Sequence, residues 1–341
     1  MELNYVKEVI ESNYNIKISS AEKIKSVYKI KSGNMDYCLK VIKYELAHFL
    51  FILGVIRYLQ ENCFEKIPEI ISTSDGKDFI IFDRFHAYLT PWVNARECNY
   101  DNLVDLEIAA KKLADLHNKS QGFHITENMK PRIGWFKWIE TFNTRRDEIV
   151  DFRKRIELKE EKSEFDNLYL SVIEEELERA EKSIINLTLS NYMETMESEI
   201  ENKGFCHHDY AHHNVLIEDN GDVNIIDFDY CILDSHLHDL CSLLIRTMKN
   251  GKWDMNTALY LMNQYNSIKK IQNTDVPIMA AFMEFPQDYW QVGIQYYWEQ
   301  QCWGEDFFVK KLQKICEDRE EKQEFIEEFR THKYNGGVYY E

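Results

Sequence analysis

The sequence lacks the patterns that mark secreted proteins and membrane proteins. None of its eight cysteines stands in a C-x-x-C pair, and most lie inside apolar runs, as reduced core residues of a cytosolic protein do. The most apolar run, residues 46–59, is too short to span a bilayer and is interrupted by His48 and Arg57. The first residues, Met-Glu-Leu-Asn-Tyr, show no basic segment followed by a small-residue cleavage site, so we expect no secretory signal.

The sequence also contains fewer basic residues than acidic ones. Lysine and arginine total 41 against 59 aspartates and glutamates, which gives a formal net charge of -18. This excess disfavours nucleic acid and anionic membranes as partners, and it would favour a cationic ligand if the acidic residues lie near a pocket. The 341 residues are enough for two lobes with separate cores, because single cores stop growing near about 250–300 residues.

The most informative stretch of the chain runs from Gly204 to Tyr230. Within it, Val215–Glu218 and Val223–Ile226 are short runs of β-branched and apolar residues, and Asp-Asn-Gly-Asp separates them. This composition predicts two paired strands with a tight turn between them. A hairpin brings its two ends together, so polar residues just before the first strand and just after the second should converge.

Those polar residues are Asp209 and Asn214 before the hairpin and Asp227 after it. Phosphoryl transfer needs such a group, because its transition state is stabilised mostly by positioning and by charge. One carboxylate must lie by the attacking hydroxyl, while an amide oxygen and a second carboxylate hold Mg²⁺ on the nucleotide phosphates. The pattern therefore predicts Asp209 as the catalytic base, and Asn214 and Asp227 as metal ligands.

Other interpretations of the same stretch stay open. Two acidic loops could simply flank a surface hairpin. The histidines of H-H-D-Y-A-H-H could bind zinc, but cysteine partners at ligand spacing are lacking, and Cys206 stands alone. We interpret His207 as a buried residue that braces the loop. The other histidines of this run are interpreted as features shared within a protein family or as solvated loop residues.

The pattern H-x-D-x-x-x-x-N followed by I-D-F-D resembles the protein-kinase-like superfamily, in its aminoglycoside and choline phosphotransferase branch. The resemblance implies an α+β, bilobal fold with ATP and Mg²⁺ as cofactors. It predicts a small N-terminal lobe with an antiparallel sheet, residues 1–93, and a larger, mainly helical C-terminal lobe, residues 94–341. The patterning agrees, because residues 16–42 contain clusters of β-forming residues, with Ile16–Ile18 as the first strand, and helical periodicity begins at Asn102.

Further site residues follow from this resemblance. Lys40, in C-L-K-V-I on a predicted strand, matches the lysine that binds the nucleotide phosphates in the superfamily. Trp92 and Val93 fall where the superfamily places the hinge between its lobes, whose backbone contacts adenine.

The sequence departs from the superfamily pattern at two places. No G-x-G-x-x-G occurs between the first two predicted strands, so residues 19–26 would have to cover the phosphates with backbone amides and serine hydroxyls. The predicted helix at residues 44–61 should carry a glutamate that pairs with Lys40 in an active kinase, yet residues 46–59 contain no acidic residue. Catalytic competence is therefore open, whereas nucleotide binding does not depend on this glutamate.

A more specific resemblance is to the spore coat proteins of the CotS type, from endospore-forming bacteria. It is carried by C-H-H-D-Y-A-H-H-N-V-L, I-D-F-D-Y, H-D-L, L-H-N-K-S-Q-G-F, W-D near residue 253 and F-P-x-x-Y-W near residue 285. It implies sporulation, a cytoplasmic origin in the mother cell and assembly on the spore coat. Two functions stay open: an ATP-dependent phosphotransferase with an alcohol acceptor, or a catalytically weak or inactive coat protein whose partners are other coat proteins.

The predicted C-terminal lobe also contains aromatic residues interleaved with acidic ones. They are Asp288, Tyr289, Trp290, Tyr296, Tyr297, Trp298 and Glu299. Aromatic faces and carboxylates attract cations, so this stretch suggests a small-molecule acceptor that is cationic. The alternative is that these rings form part of the core of the lobe.

Overall fold

The computed structural model describes residues 2–334 of the chain. They form two compact units: unit 1 contains residues 2–132 and 203–233, and unit 2 contains residues 133–202 and 234–334. The lobe boundary between residues 93 and 94 is a different division of the chain, and it stays a prediction. Within the described residues, every helix is too short or too polar to cross a membrane.

Unit 1 begins with a helix and an antiparallel sheet whose five strands, among the described residues, follow the order β1-β2-β3-β5-β4. The elements are α1 (Glu2–Asn13), β1 (Ser20–Ile24), β2 (Val27–Ser32), β3 (Met35–Ile42), α2 (Leu46–Glu61), β4 (Ile80–Phe82) and β5 (Phe85–Pro91). Side chains from α1 and the sheet share one apolar core, which includes Val6, Ile10, Ile30 and Leu39.

The first strand lies later in the chain than predicted. Ile16–Ile18 was expected to pair, but β1 spans Ser20–Ile24, because the turn to β2 contains only Lys25 and Ser26 and fixes Ile24 opposite Val27. The apolar residues before β1 serve the core instead. Ile18 is buried there, and its backbone N–H donates to Glu11 Oε1 at 2.8 Å.

The rest of unit 1 contains the predicted hairpin. Its elements are β6 (Arg96–Glu97), α3 (Leu103–Lys119), β7 (Val215–Ile217) and β8 (Val223–Ile225), with short 3-10 turns at His212–Asn214 and Phe228–Tyr230. Strands β7 and β8 pair antiparallel, with Val215 opposite Ile225, and β6 extends this small sheet. The hairpin prediction is confirmed. Each 3-10 turn adjoins one end of the hairpin: the first ends at Asn214, and the second begins directly after Asp227.

Unit 2 is helical throughout its described regular elements. They are α4 (Trp138–Glu157), α5 (Glu164–Leu189), α6 (Tyr192–Asn202), α7 (His236–Met248), α8 (Met255–Asn266), α9 (Asp275–Glu284), α10 (Gln287–Gly293), a π-helical turn at Ile294–Trp298, α11 (Glu305–Glu317) and α12 (Arg319–Thr331). An N-terminal antiparallel sheet followed by a mainly helical remainder is the predicted α+β fold class, which is confirmed.

Several aromatic residues of the π-helical turn and of α10 lie in or pack against the core of unit 2, whereas Trp298 is exposed. Tyr289 stacks on Tyr169 with ring centroids 4.1 Å apart, and Tyr296 stacks on Phe165 at the same distance. The hydroxyl of Tyr297 donates to Asp166 Oδ1 at 2.9 Å. These rings agree with the alternative that the stretch forms part of the core, and the cation near Tyr296 and Tyr297 is Lys159 of the same chain.

Candidate active site

His207 connects the two polar clusters at the base of the hairpin. Its side chain is fully buried, and its Nδ1 accepts the backbone N–H of Asp209 at 3.3 Å. Because Nδ1 acts as an acceptor, the ring proton lies on Nε2, which donates to the Ile226 carbonyl at 2.9 Å. The ring also packs against Phe228, with centroids 4.8 Å apart. These contacts tie the loop before the hairpin to the residues after it, as expected of a buried histidine that braces the loop.

Asn214 is bound directly to Asp209. Its Nδ2 donates to the Asp209 carbonyl at 2.9 Å and to the Asp209 Oδ2 at 3.3 Å. The amide side chain is buried, so these bonds fix the direction of the Asp209 carboxylate. The side-chain oxygen of Asn214 remains as the atom that could bind a metal ion.

Asp227 occupies an unusual backbone position directly after the hairpin. Its φ of 67° and ψ of 64° lie in the left-handed region, which non-glycine residues rarely adopt. The preceding N–H, that of Ile226, donates to the Asn214 carbonyl at 3.0 Å. The hairpin thus places Asn214 and Asp227 side by side, as the spacing of the motifs predicted.

Lys40 lies on β3 and is buried beside two carboxylates. Its Nζ is 2.6 Å from Asp227 Oδ1 and 2.9 Å from Asp229 Oδ1. The sequence indicated Lys40 and Asp227 separately, and the structure brings them into contact although 187 positions separate them. Asp229 was not predicted. Its signal was present in the sequence, as the second aspartate of I-D-F-D in a chain without an acidic residue inside α2.

The three charges change one another's pKa. Burial disfavours a charged Lys40, but the carboxylates of Asp229 and Asp227 outweigh burial and raise the pKa of this lysine. Burial likewise opposes ionisation of Asp227, yet the ammonium of Lys40 holds the pKa of that carboxyl below its usual value. Burial raises the pKa of Asp229 to about 6 against the opposite effect of Lys40. Lys40 is therefore charged at neutral pH, as binding to phosphates requires.

A cavity of about 650 Å³ opens beside these residues, and unit 1 supplies its whole lining. This volume is within the range of about 300–1,000 Å³ that is usual for small-molecule sites. Polar lining residues include Lys25, Lys40, Asn214 and Asp227, and apolar ones include Val27, Tyr88, Leu216 and Ile225. Asp209 is not among the lining residues and is linked to the cavity through Asn214.

Trp92 and Val93 also line the cavity, directly after β5. The backbone N–H of Trp92 donates to the Asp36 carbonyl at 2.9 Å, which continues the pairing of β5 with β3. This N–H is thus engaged within the protein, and the Trp92 carbonyl and the Val93 backbone remain for contacts to a base. The role of these two residues in binding adenine stays a prediction.

The segment that should cover the phosphates is shorter than predicted. Residues 19–26 were expected to form this cover, but Ser20–Ile24 is β1, and the turn consists of Lys25 and Ser26. Both turn residues line the cavity. Lys25 adopts a φ of 52°, so this lysine occupies the left-handed position of the turn.

The missing acidic residue of α2 is confirmed by the structure. The interior of α2 buries apolar side chains, among them Phe49, Ile52 and Ile56. Glu45 precedes the helix and is exposed, with Lys130 Nζ 3.4 Å away. Glu61 is exposed at the other end. Two carboxylates directly after the hairpin, those of Asp227 and Asp229, contact Lys40 instead.

A family model and solved structures match nearly the whole chain. The model described as "Spore coat putative kinase YutH" matches residues 7–329. An aminoglycoside phosphotransferase from Alicyclobacillus acidocaldarius has a TM-score of 0.81 at 22% identity, covering 94% of each chain. Spectinomycin phosphotransferase APH(9)-Ia, in complex with ADP and spectinomycin, has a TM-score of 0.69 at 16% identity over 96% of this chain and 98% of its own.

A microcompartment-associated aminopropanol kinase is also similar. Its TM-score is 0.63 at 12% identity, covering 97% of this chain and 99% of its own. At such low identities these structures establish the fold. The predicted kinase-like fold of the aminoglycoside phosphotransferase type is therefore confirmed.

Proposed function

The chain belongs to the spore coat putative kinase YutH family, and we propose that it is a phosphotransferase that uses ATP and Mg²⁺ to phosphorylate a hydroxyl group of a small molecule. The family match confirms the predicted resemblance to spore coat proteins of the kinase-like superfamily. The observation that carries the proposal is the convergence of Lys40, Asn214 and Asp227 in one cavity, with Asp209 bound to Asn214.

Each residue of this group has a role that its contacts support. Asn214 and Asp227 would hold Mg²⁺, which when bound offsets the charge of the nucleotide phosphates. Lys40 contributes a fixed positive charge beside them. Asp209 accepts the proton of the acceptor hydroxyl. The hydroxyl oxygen attacks the terminal phosphorus of ATP, and the bond between that phosphorus and the bridging oxygen breaks. Asn214 and His207 hold Asp209 in position for this step.

We infer that the acceptor is a small alcohol that also carries an amine. The similar structures include a kinase named for aminopropanol and a phosphotransferase named for aminoglycosides. The net charge of -18 favours a cation over an anion as ligand. The aromatic stretch of unit 2 adds no support, because Tyr289, Tyr296 and Tyr297 lie in or pack against the core of that unit.

A second candidate is a coat protein that binds nucleotide weakly and has no turnover. The family description and the lack of an acidic residue inside α2 favour it. Under either candidate we propose that the protein assembles on the spore coat, which extraction of coat proteins from purified spores would test.

The decisive experiment combines binding with turnover. We expect ATP with Mg²⁺ to raise the unfolding temperature, since ligand at 100 times its Kd stabilises a protein by about 2.7 kcal/mol. A panel of amino alcohols and aminoglycosides is then tested with a coupled assay for ADP, and the matching alcohols without an amine serve as controls. Binding without turnover on any acceptor would support the coat candidate. No effect of Mg-ATP on stability would contradict the phosphotransferase proposal.

A further inference from the structure

The ammonium of Lys40 has a second carboxylate partner besides the proposed metal ligand. Asp227 is the proposed metal ligand, whereas Asp229 lies two residues further along, with its Oδ1 2.9 Å from the lysine Nζ. We propose that Asp229 is the positioning residue that holds Lys40 in the nucleotide cavity, a task that a helix glutamate performs in other kinases. The inference rests on the proposed function and adds a residue to it.

The interior of helix α2 provides no carboxylate that could hold Lys40. Phe49 packs against the sheet, with its ring stacked on His86 at 5.3 Å, and Ile56 lines the same cavity as Lys40. The side chain that α2 directs to the cavity is thus apolar. Glu45 is 76% exposed and pairs with Lys130, so it is engaged elsewhere.

The turn at Phe228–Tyr230 gives Asp229 a fixed position. Phe228 is buried against His207, and the Cys231 N–H donates to the Phe228 carbonyl at 3.0 Å. Arg132 lies over the ring of Tyr230, 5.6 Å from its centroid. A carboxylate on such a turn loses little further freedom when it pairs with a lysine, and burial strengthens the ion pair.

The two carboxylates also differ in what metal binding would do to them. If Asp227 held Mg²⁺, the negative charge of this carboxylate would be shared between the ion and Lys40. Asp229 keeps its contact with the lysine, and it therefore holds the ammonium at the cavity wall while the phosphates bind. With two carboxylates beside Lys40, Asp227 can bind the metal ion while Asp229 remains paired with the lysine.

The first test is the Asp229→Asn variant, which keeps the side-chain shape and removes the charge. We expect the Kd for ATP to rise about tenfold or more, both with and without Mg²⁺, because the effect acts through Lys40. In a Lys40→Met background, Asp229→Asn should add little further loss. Asp222→Asn is the matched control, because Asp222 lies in the hairpin turn and pairs with Lys66. An unchanged Kd in Asp229→Asn, or a full additional loss in the Lys40→Met background, would overturn the proposal.

A rescue variant tests the position of the charge. Ile56→Glu in the Asp229→Asn background moves the carboxylate from the turn to α2, at a residue that already lines the cavity. We expect it to recover part of the lost ATP affinity. Because this change places a glutamate at a buried position, the folded fraction is checked by circular dichroism. If the variant does not fold, the Asp229→Asn measurement in the Lys40→Met background decides whether the proposal holds.

Chemical labelling separates this inference from the proposed function. In nucleotide-free protein, an amine-reactive reagent should modify Lys40 several times faster in Asp229→Asn than in the wild type, as measured by mass spectrometry. Equal labelling rates would overturn the positioning role even in an active enzyme. Faster labelling in a protein that binds no ATP would support the contact between Asp229 and Lys40 and would refute the phosphotransferase function.

Discussion

At the scale of single residues, the site depends on side chains that hold other side chains. The amide nitrogen of Asn214 donates a hydrogen bond to Asp209, and both ring nitrogens of His207 form hydrogen bonds with the backbone around the hairpin. The groups proposed to meet substrate and metal are thus fixed before any ligand binds, which lowers the cost of ordering them during the reaction.

The role of Asp209 leads to the first prediction. Asp209→Asn should leave the Kd for ATP within about twofold and lower kcat by about 10²-fold or more, because the base acts on the acceptor and not on the nucleotide. Isothermal titration and steady-state kinetics with an accepted alcohol measure the two quantities. Unchanged kcat would show that Asp209 has a structural role only.

Asp227 leads to the second prediction. Asp227→Asn keeps a residue type that tolerates the left-handed backbone at this position and removes the charge that would bind the metal. We expect Mg²⁺ to strengthen ATP binding in the wild type and to have almost no effect in the variant. Titration of ATP with and without Mg²⁺ gives the comparison, and an equal response to Mg²⁺ in both proteins would remove Asp227 from the metal site.

Much of the site was readable in the sequence because its residues lie next to one hairpin. Asp209, Asn214 and Asp227 flank β7 and β8, so local strand pairing alone brings them together. Asp229 was missed because its partner Lys40 lies on a distant strand, and only tertiary packing reveals that contact. The roles of these residues, and of Trp92 and Val93, stay predictions.

At the scale of elements, close packing of α10 gives a third prediction. A Cβ built on Gly293 would lie 2.6 Å from the Tyr169 hydroxyl and 2.8 Å from Phe152, both of which are fully buried. Gly293→Ala should therefore push α10 away from α4 and α5 and lower the free energy of unfolding by about 1–3 kcal/mol. Urea unfolding measures this change.

Gly304 provides the matched control for that measurement. A Cβ at Gly304 meets no atom within 4 Å, so Gly304→Ala should cost only the difference between glycine and alanine at the N-cap of α11, less than about 1 kcal/mol. Equal effects of the two substitutions would show that packing at Gly293 is not the cause.

Element types were predicted better than their boundaries. The hairpin was recognised because its turn and its β-branched runs agree with each other. The prediction of a strand at Ile16–Ile18 was wrong, because an extended segment buried in a core has the same composition as a strand. The aromatic stretch near residues 289–298 was ambiguous for a related reason, since rings that bind a cation and rings that fill a core have the same sequence pattern.

At the scale of the whole molecule, all lining residues of the cavity beside Lys40 belong to unit 1. The fourth prediction is that Mg-ATP slows amide hydrogen exchange mainly in unit 1, at residues 20–42, 85–97 and 206–231, because bound ligand suppresses local opening of the segments that it contacts. Exchange measured by mass spectrometry on the full chain tests this. Protection centred on unit 2 would place the nucleotide elsewhere.

Because α2 carries no carboxylate for Lys40, displacing this helix breaks no ion pair in the site. Protein kinases are switched on and off by such displacements, which bring a glutamate to the lysine or withdraw it. In this chain the carboxylates that pair with Lys40, Asp227 and Asp229, directly follow the hairpin, so a shift of α2 would not by itself withdraw the charge that faces the lysine.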